Sequence, residues 1–130
     1  MRVLAAVAVL AAVIASVASA GSQKPALKVT QKFIGSVHYV EGSIGYIRIK
    51  SPAGRRVAQK TFSGATKQLR FTLAPGRYRV VSFQRPCDGN CSLLDPPTDR
   101  CSTAVQIRAG ATVSATVVVT PGQGCRIRLG

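Results

Sequence analysis

Short runs of alternating apolar and polar residues fill most of the chain after residue 21, and Gly, Pro and Ser separate these runs. In LKVTQKF the residues Leu27, Val29 and Phe33 fall on one side, and in GYIRIK the pair Ile47 and Ile49 alternates with polar neighbours. A period of two is the pattern of a strand that buries one face, whereas helical periodicity is hard to find here. We therefore expect an all-β domain, with SVHYV as a further short strand and VAQKTF as an edge strand.

Two longer stretches have the pattern of β-hairpins. In QLRFTLAPGRYRVVSF, the residues Leu69, Phe71 and Leu73 alternate with polar residues, APG supplies a turn, and the alternation resumes at Tyr78 and Val80. The stretch STAVQIRAGATVSATVVV repeats this arrangement around RAGA, with the inward residues Val105, Ile107, Val113, Ala115, Val117 and Val119. Seven to eight short strands in a chain of this length predict a sandwich of two sheets.

The first twenty residues, MRVLAAVAVLAAVIASVASA, have a different pattern. One cation, Arg2, precedes an apolar run, and the small residues Ala18, Ser19 and Ala20 follow it. This is the layout of a secretory signal peptide, with cleavage expected after Ala20. The apolar run is shorter than the roughly 20 residues of a membrane-spanning helix, which makes an anchor the less favoured alternative. We expect residues 21–130 to form one secreted domain without a transmembrane segment.

The run GYIRIKSPAGRRVAQKTF, followed by LRFTLAPGRYRVVSF, is similar to the transthyretin-like (prealbumin-like) and carboxypeptidase regulatory-like sandwich domains. The resemblance covers about residues 43 to 119, and the motif L-x-P-G-x-Y, from Leu73 to Tyr78, carries it. The segment from Arg85 to Cys101 also resembles one found in small secreted bacterial proteins. These resemblances imply an Ig-like or prealbumin-like sandwich that serves as an accessory or binding module, and they imply no reaction.

Four cysteines, Cys87, Cys91, Cys101 and Cys125, should lie at the same end of the sandwich, because the predicted strands run alternately toward and away from it. In an oxidising compartment an even number of cysteines predicts two disulfides. Zinc held by four thiolates is the alternative, since the spacing between Cys87 and Cys91 suits it. Three pairings are open. We prefer a bond from Cys125 to the 87–91 segment, because it would fix the C-terminal tail.

Three of the four acidic residues of the chain fall inside the Cys-rich loop 85–101, namely Asp88, Asp95 and Asp99. Together with Asn90 they offer oxygen ligands of the kind that Ca²⁺ prefers. The preferred explanation is that they form turns around DGN and PP or pair with neighbouring arginines. No metal or other cofactor is expected, although calcium binding stays open.

The chain has a net charge of +14, and only Arg2 of its cations lies in the predicted leader. Such a charge attracts anionic partners at long range. Outward positions of the predicted strands include Lys60 and the residues expected to bind polyanions, which are Arg48, Lys50, Arg70 and Arg79. Like charges facing one another across strands are destabilising, and an anion would relieve them. The expected partners are anionic cell-envelope polymers or lipid head groups, without specific recognition of nucleic acid.

Catalytic groups are scarce in this sequence. His38 is the only histidine, and grouping it with Glu41 and a serine has no supporting context such as G-x-S-x-G. We therefore expect no enzymatic activity. The leading interpretation is a secreted, disulfide-stabilised binding or structural module at the cell envelope. The alternative is an accessory or inhibitor-like protein that recognises a protein partner through loop 85–101.

Overall fold

The computed structural model describes residues 24–62 and 66–130. In chain order, the strands of this part are β1 (Ala26–Phe33), β2 (Ser43–Lys50), β3 (Arg56–Phe62), β4 (Gln68–Thr72), β5 (Gly76–Asp88), β6 (Leu93–Leu94), β7 (Thr98–Ile107), β8 (Thr112–Thr120) and β9 (Gly124–Leu129). They form two sheets. The A sheet has the order β4-β1-β8-β9, and the B sheet has the order β3-β2-β5-β7, with β6 paired to the far end of β5. The predicted all-β class and two-sheet arrangement are confirmed.

The predicted signal peptide lies outside the described residues. Within the described ranges, no helix is long and apolar enough to cross a membrane.

The core lies between the facing sides of the two sheets, where the alternating apolar residues meet. The A sheet contributes Leu27, Val29, Phe71 and Val117, and the B sheet contributes Ile47, Ile49, Val80 and Ile107, each no more than 2% exposed. Burial of each such side chain stabilises the fold by roughly 1.5 to 3 kcal/mol. The strand β1 lies inside the A sheet, antiparallel to β4 and parallel to β8. The period of two thus predicted these inward residues correctly, but it was wrong for Phe33, which lies at the end of β1 and is 46% exposed.

Both predicted hairpins are wrong. The strands β4 and β5 lie in different sheets, and so do β7 and β8. Each turn therefore carries the chain across the core from one sheet to the other. The apolar alternation does not distinguish these cases, because a hairpin and a crossing between sheets both place the same side chains inward. At the first crossing, the Tyr78 hydroxyl donates a hydrogen bond to the Ala74 carbonyl at 2.6 Å and fixes the corner.

The predicted strand SVHYV is also wrong, because residues 34–42 form no strand. Gly35 and Gly42, with φ of 99° and 95°, bracket this segment. Such left-handed backbone at each end turns the chain out of the sheet. Conversely, β9 was not predicted. Its alternation of Cys125, Ile127 and Leu129 with arginines was a strand signal that the sequence did contain.

A small polar network lies inside the core and links the two sheets. The Gln84 side chain on β5 is completely buried. Its amide nitrogen donates to Gln31 Oε1 on β1 at 2.7 Å, and its Oε1 accepts a hydrogen bond from Ser43 Oγ at 2.9 Å. Gly45 provides the space, since a Cβ atom there would overlap the end of Gln31. The buried amide of Gln84 thus has partners for both its donor and its acceptor.

The described residues form two disulfides, Cys87–Cys91 and Cys101–Cys125. The expectation of two disulfides is confirmed, but the preferred pairing of Cys125 with the 87–91 segment is wrong. Cys125 is opposite Val119 in the A sheet, and Cys101 is opposite Ser82 in the B sheet, so their bond joins β9 to β7 across the edges of the sandwich. The C-terminal segment is held as a strand, not as a tail.

The two disulfides should contribute unequally to stability. Cys101–Cys125 closes a loop with a sequence separation of 24, whereas Cys87–Cys91 closes one with a separation of 4. Loop-closure entropy then predicts a loss of about 3 kcal/mol for C101A/C125A and about 2 kcal/mol for C87A/C91A. Urea unfolding of both double variants, compared with the parent protein, measures the difference. A larger loss for C87A/C91A would contradict the role given to the bond between the sheets.

Candidate functional site

The outer face of the B sheet carries most of the predicted polyanion-binding residues. Inward and outward side chains alternate along β2, so Arg48 and Lys50 point away from the core. Directly paired residues share a face, and the register pairs Lys50 with Arg79 and Arg48 with Val81. The structure therefore brings Arg48, Lys50 and Arg79 together on one surface, as the alternation predicted.

Two residues of β5 are buried on this outer side, although residues 24–62 and 66–130 form no third layer of strands over it. Val81 is 5% exposed and Phe83 is 3% exposed. The Tyr46 ring stacks on Phe83 with centroids 5.0 Å apart, and the guanidinium carbons of Arg48 and Arg100 lie 5.2 Å and 5.4 Å from the Phe83 centroid. The face thus has an aromatic centre covered by two arginines, which is the geometry of a cation–π contact.

A β-bulge in β7 places Arg100 over Phe83. Ser82 pairs with Cys101 and Gln84 with Thr98, so two residues of β7, Asp99 and Arg100, oppose Phe83 alone. Asp99 has φ of 51°, the left-handed conformation that a bulge commonly needs. The sequence offered no clear signal for this bulge, and Arg100 was not among the predicted binding residues.

The guanidinium groups on this face are hydrogen-bonded to neutral acceptors. Arg48 Nε donates to Gln59 Oε1 at 2.9 Å, and Arg79 donates to Ser102 Oγ at 3.0 Å. Burial lowers the pKa of the Arg48 guanidinium, and the nearby positive charges of Arg56 and Arg100 lower that pKa further. The positive charges therefore repel one another on a shared surface, and these hydrogen bonds supply no carboxylate to offset them.

Two predicted outward cations lie elsewhere. Arg70 is on β4, where it pairs with Lys28 on the outer side of the A sheet. It is therefore separated from the other three predicted binding residues by the thickness of the sandwich. Lys60 pairs with Ile47, which faces inward. The Lys60 ammonium group contacts the Phe71 ring and donates a hydrogen bond to the Arg70 carbonyl. Lys60 thus bridges the edges of the two sheets instead of joining the outer face.

A cleft of about 570 Å³ lies at the disulfide end, between the 37–42 segment, the end of β5 and the turn before β9. All four acidic residues of the chain, Glu41, Asp88, Asp95 and Asp99, line it. The sequence grouped only the three aspartates. Glu41 joins them because its Oε2 accepts a hydrogen bond from the Gly89 backbone N–H at 2.7 Å. The chain's negative charge is therefore confined to one end.

Asp99 connects three segments at the floor of this cleft. One carboxylate oxygen accepts hydrogen bonds from the Tyr39 hydroxyl and from the Gly122 N–H, the latter at 3.0 Å. The other oxygen accepts a hydrogen bond from the Gly124 N–H at 2.7 Å. Burial raises the pKa of the Tyr39 phenol well above its usual value, and the hydrogen bond and negative charge of Asp99 raise it further. Asp99 thus holds the 37–42 segment against the turn before β9.

The remaining carboxylates of the cleft interact with one another. A hydrogen bond with Asp88 raises the pKa of the Asp95 carboxyl, and burial and the Asp88 charge act in the same direction. Arg85 donates to the carbonyls of Asp95 and Leu94, so the ion pair considered for this arginine is replaced by backbone contacts. Among the described residues, no group of three or more His, Cys, Asp or Glu side chains is arranged to hold a metal ion. Both carboxylate oxygens of Asp99 accept hydrogen bonds from other residues of the chain.

His38 is exposed and lines the same cleft. Glu41, which the sequence groups with His38, accepts a hydrogen bond from the Gly89 N–H. The nearby Ser43 donates to the buried Gln84.

The sequence matches no protein-family model, and comparisons with curated proteins and with solved structures find no match either.

Because of the Tyr39–Asp99 contact, the free energy of unfolding should decrease as the pH becomes alkaline. The folded state raises the pKa of the Tyr39 phenol, so it favours the neutral phenol. That stabilisation is complete below the pKa of tyrosine in the unfolded chain, which is about 10, and it is lost as the pH rises above this value. We expect Tyr39→Phe to lose about 1 to 2 kcal/mol at neutral pH, because a hydrogen bond to a carboxylate is removed.

Urea unfolding of the parent protein and of Tyr39→Phe, from neutral pH to about pH 11, tests this dependence. The difference in unfolding free energy between the two proteins should shrink above about pH 10, since the other tyrosines titrate equally in both. A difference that stays constant over this range would rule out the link between Tyr39 ionisation and folding.

Proposed function

We propose that this chain is a secreted, disulfide-stabilised β-sandwich that binds anionic polymers of the bacterial cell envelope through the outer face of the B sheet. The observation that carries the proposal is the placement of Arg48 and Arg100 over the buried Phe83 ring. Burial lowers the pKa of the Arg48 guanidinium and the positive charges of Arg56 and Arg100 lower it further, so an anion bound over the face would relieve this repulsion. The repulsion that a bound anion removes would therefore contribute favourably to the binding free energy at this face.

The stacked arrangement supports binding in a second way. Arg48 is fixed by Phe83 on one side and by Gln59 on the other. A guanidinium that is already ordered loses little conformational entropy when a ligand arrives. Arginine also presents several N–H donors in one plane, which suits the oxygens of phosphate and carboxylate groups. The face thus offers preorganised donors to an anionic polymer.

The separation of charge over the molecule supports the choice of this face. All four carboxylates line the cleft at the disulfide end, whereas Arg48, Lys50 and Arg79 lie on the sheet. A long anionic polymer is attracted to the sheet and repelled from the cleft. Binding would therefore have a preferred orientation.

Secretion and the transthyretin-like resemblance are supported by other features of the molecule. Two disulfides suit an oxidising, extracellular environment, which supports secretion. The resemblance to transthyretin-like domains rests on the L-x-P-G-x-Y motif, and the hydrogen bond from Tyr78 to Ala74 gives that motif a structural role at the corner before β5. We infer a binding module of this type without catalytic activity or a bound cofactor.

A second candidate function is recognition of a protein partner at the acidic cleft, through loop 85–101 and the 37–42 segment. Val37 and Val40 are exposed and line this cleft, and Leu93 is exposed on β6, where it pairs with Asp88. Exposed apolar residues beside charged ones are typical of an interaction surface. The charge of the cleft would favour a partner that presents a lysine or arginine within an apolar patch.

Loss of charge at the centre of the B-sheet face should weaken polyanion binding. We expect R48Q/R56Q/R100Q to bind dextran sulfate and polyglutamate more weakly, with a shallower slope of log affinity against log salt. The slope should fall by about 2 to 3, because each cation that contacts the polymer releases roughly one counterion. Fluorescence titration at several salt concentrations measures both quantities.

The matched control is K28Q/R70Q/R126Q, which removes the same number of charges from the A sheet. It should keep most of the salt slope of the parent protein. The variant R48K/R100K retains charge while changing the contacts with Phe83, and it should retain the slope. An equal decrease in affinity and salt slope for R48Q/R56Q/R100Q and K28Q/R70Q/R126Q would show that net charge, and not this face, determines binding.

The second candidate has its own test. Val40→Asp and Leu93→Asp should abolish stoichiometric capture of one envelope protein that withstands high salt, while polyanion binding is unchanged. Pull-down from the envelope fraction of the producing cell, at low and at high salt, measures this. Salt-sensitive retention alone, equal in the parent and in these variants, would exclude the partner function.

A further inference from the structure

A cavity of about 440 Å³ lies on the B sheet at the end away from the disulfides. Three cationic side chains line it, Lys50 at the end of β2 and Arg77 and Arg79 at the start of β5. Arg48 and Arg100, which lie over Phe83, do not line this cavity. It is therefore a distinct concave region within a larger cationic face.

The register explains why the three cations converge. Lys50 pairs directly with Arg79, and Arg77 lies two residues earlier on the same side of β5. Arg79 is held in place by its hydrogen bond to Ser102 Oγ at 3.0 Å. Like charges that face each other across neighbouring strands are destabilising in the free protein. A bound anion would remove that cost at the place where the cavity opens.

Pro52 and Ala104 form an apolar part of the cavity wall, and Ser51, Gly54 and Tyr78 also line it. The Tyr78 ring packs against the core, and its hydroxyl donates to the Ala74 carbonyl at 2.6 Å. Ala104 is the partner of Arg79 on β7, and its short side chain leaves the depression between the longer neighbours. The cavity thus combines a cationic rim with a surface that suits carbon atoms.

We propose that this cavity is a subsite for one phosphate-ester unit of the anionic ligand, with Lys50, Arg77 and Arg79 binding the phosphate oxygens and Pro52 and Ala104 contacting the attached polyol or sugar. The inference rests on the proposed function, because it names the chemistry of the polymer that the B-sheet face binds. A phosphate offers several acceptor oxygens in a tetrahedral arrangement, whereas a carboxylate offers two in a plane. Three cations from different strand positions match the tetrahedral group better.

The test compares ligands of equal charge number that differ in chemistry. The parent protein should bind a glycerol phosphate oligomer about tenfold more tightly than a polyglutamate oligomer of the same charge number. The variant K50Q/R77Q/R79Q should lose this preference, so that the two affinities become similar. The variant K28Q/R70Q/R126Q, with the same loss of charge on the A sheet, should keep it.

A measurement on the unaltered protein avoids dependence on the fold of the variant. Titration with glycerol 3-phosphate should shift the backbone amide signals of residues 50–54 and 77–79 in NMR spectra, and glutamate should not. Vesicles that contain phosphatidylglycerol, compared with the soluble oligomer, distinguish a lipid head group from a polymer as the source of the phosphate. Stronger binding to either source supports the subsite.

The outcomes separate the two proposals. If the glycerol phosphate and polyglutamate oligomers bind with equal affinity and the amide signals around the cavity do not move, the subsite is wrong while the cationic face stands. If K50Q/R77Q/R79Q keeps the phosphate preference, the subsite is likewise wrong. If none of the polyanions binds at low salt, the proposed function itself fails.

Discussion

The outer side of β5 carries two buried apolar residues, Val81 and Phe83, over which the described residues form no third layer of strands. Tyr46, Arg48 and Arg100 cover the Phe83 ring from the neighbouring strands. Arginine suits this task because its stem is apolar and its planar head stacks on a ring while its N–H groups still face water. The contacts that complete the fold therefore also hold positive charges at fixed positions. The proposed binding face follows from how β5 is covered.

Much of the fold follows from the alternation of apolar residues, but the connections between strands do not. The inward positions of Ile47 and Ile49 needed only the period of two. The turns at APG and RAGA have the same residue types whether they close a hairpin or cross between sheets, so local sequence does not settle the sheet order. The pairing of Cys101 with Cys125 depends on that order, since it follows from β7 and β9 lying side by side at the edges of different sheets.

The candidate site was predictable to the extent that its residues share a strand or lie on strands that pair. Arg48 and Lys50 are on the same strand, and Arg79 faces them because β2 pairs with β5. Arg70 has the same outward position on β4, but sheet membership places it on the opposite side of the molecule. Arg100 reaches Phe83 only through the bulge, whose two-against-one pairing depends on contacts between strands and not on a local pattern.

The parallel pairing of β1 with β8 has a consequence for the order of events in folding. Ala26 pairs with Thr112, so the first strand of the A sheet gains this neighbour only when most of the chain is present. Contacts between such distant residues form late, because closing a long loop costs entropy before any contact compensates it. A chain delivered from its N-terminal end therefore stays without a complete A sheet until its last third arrives. The export that the proposed function requires would be favoured by this delay, because an incompletely folded chain can be transported.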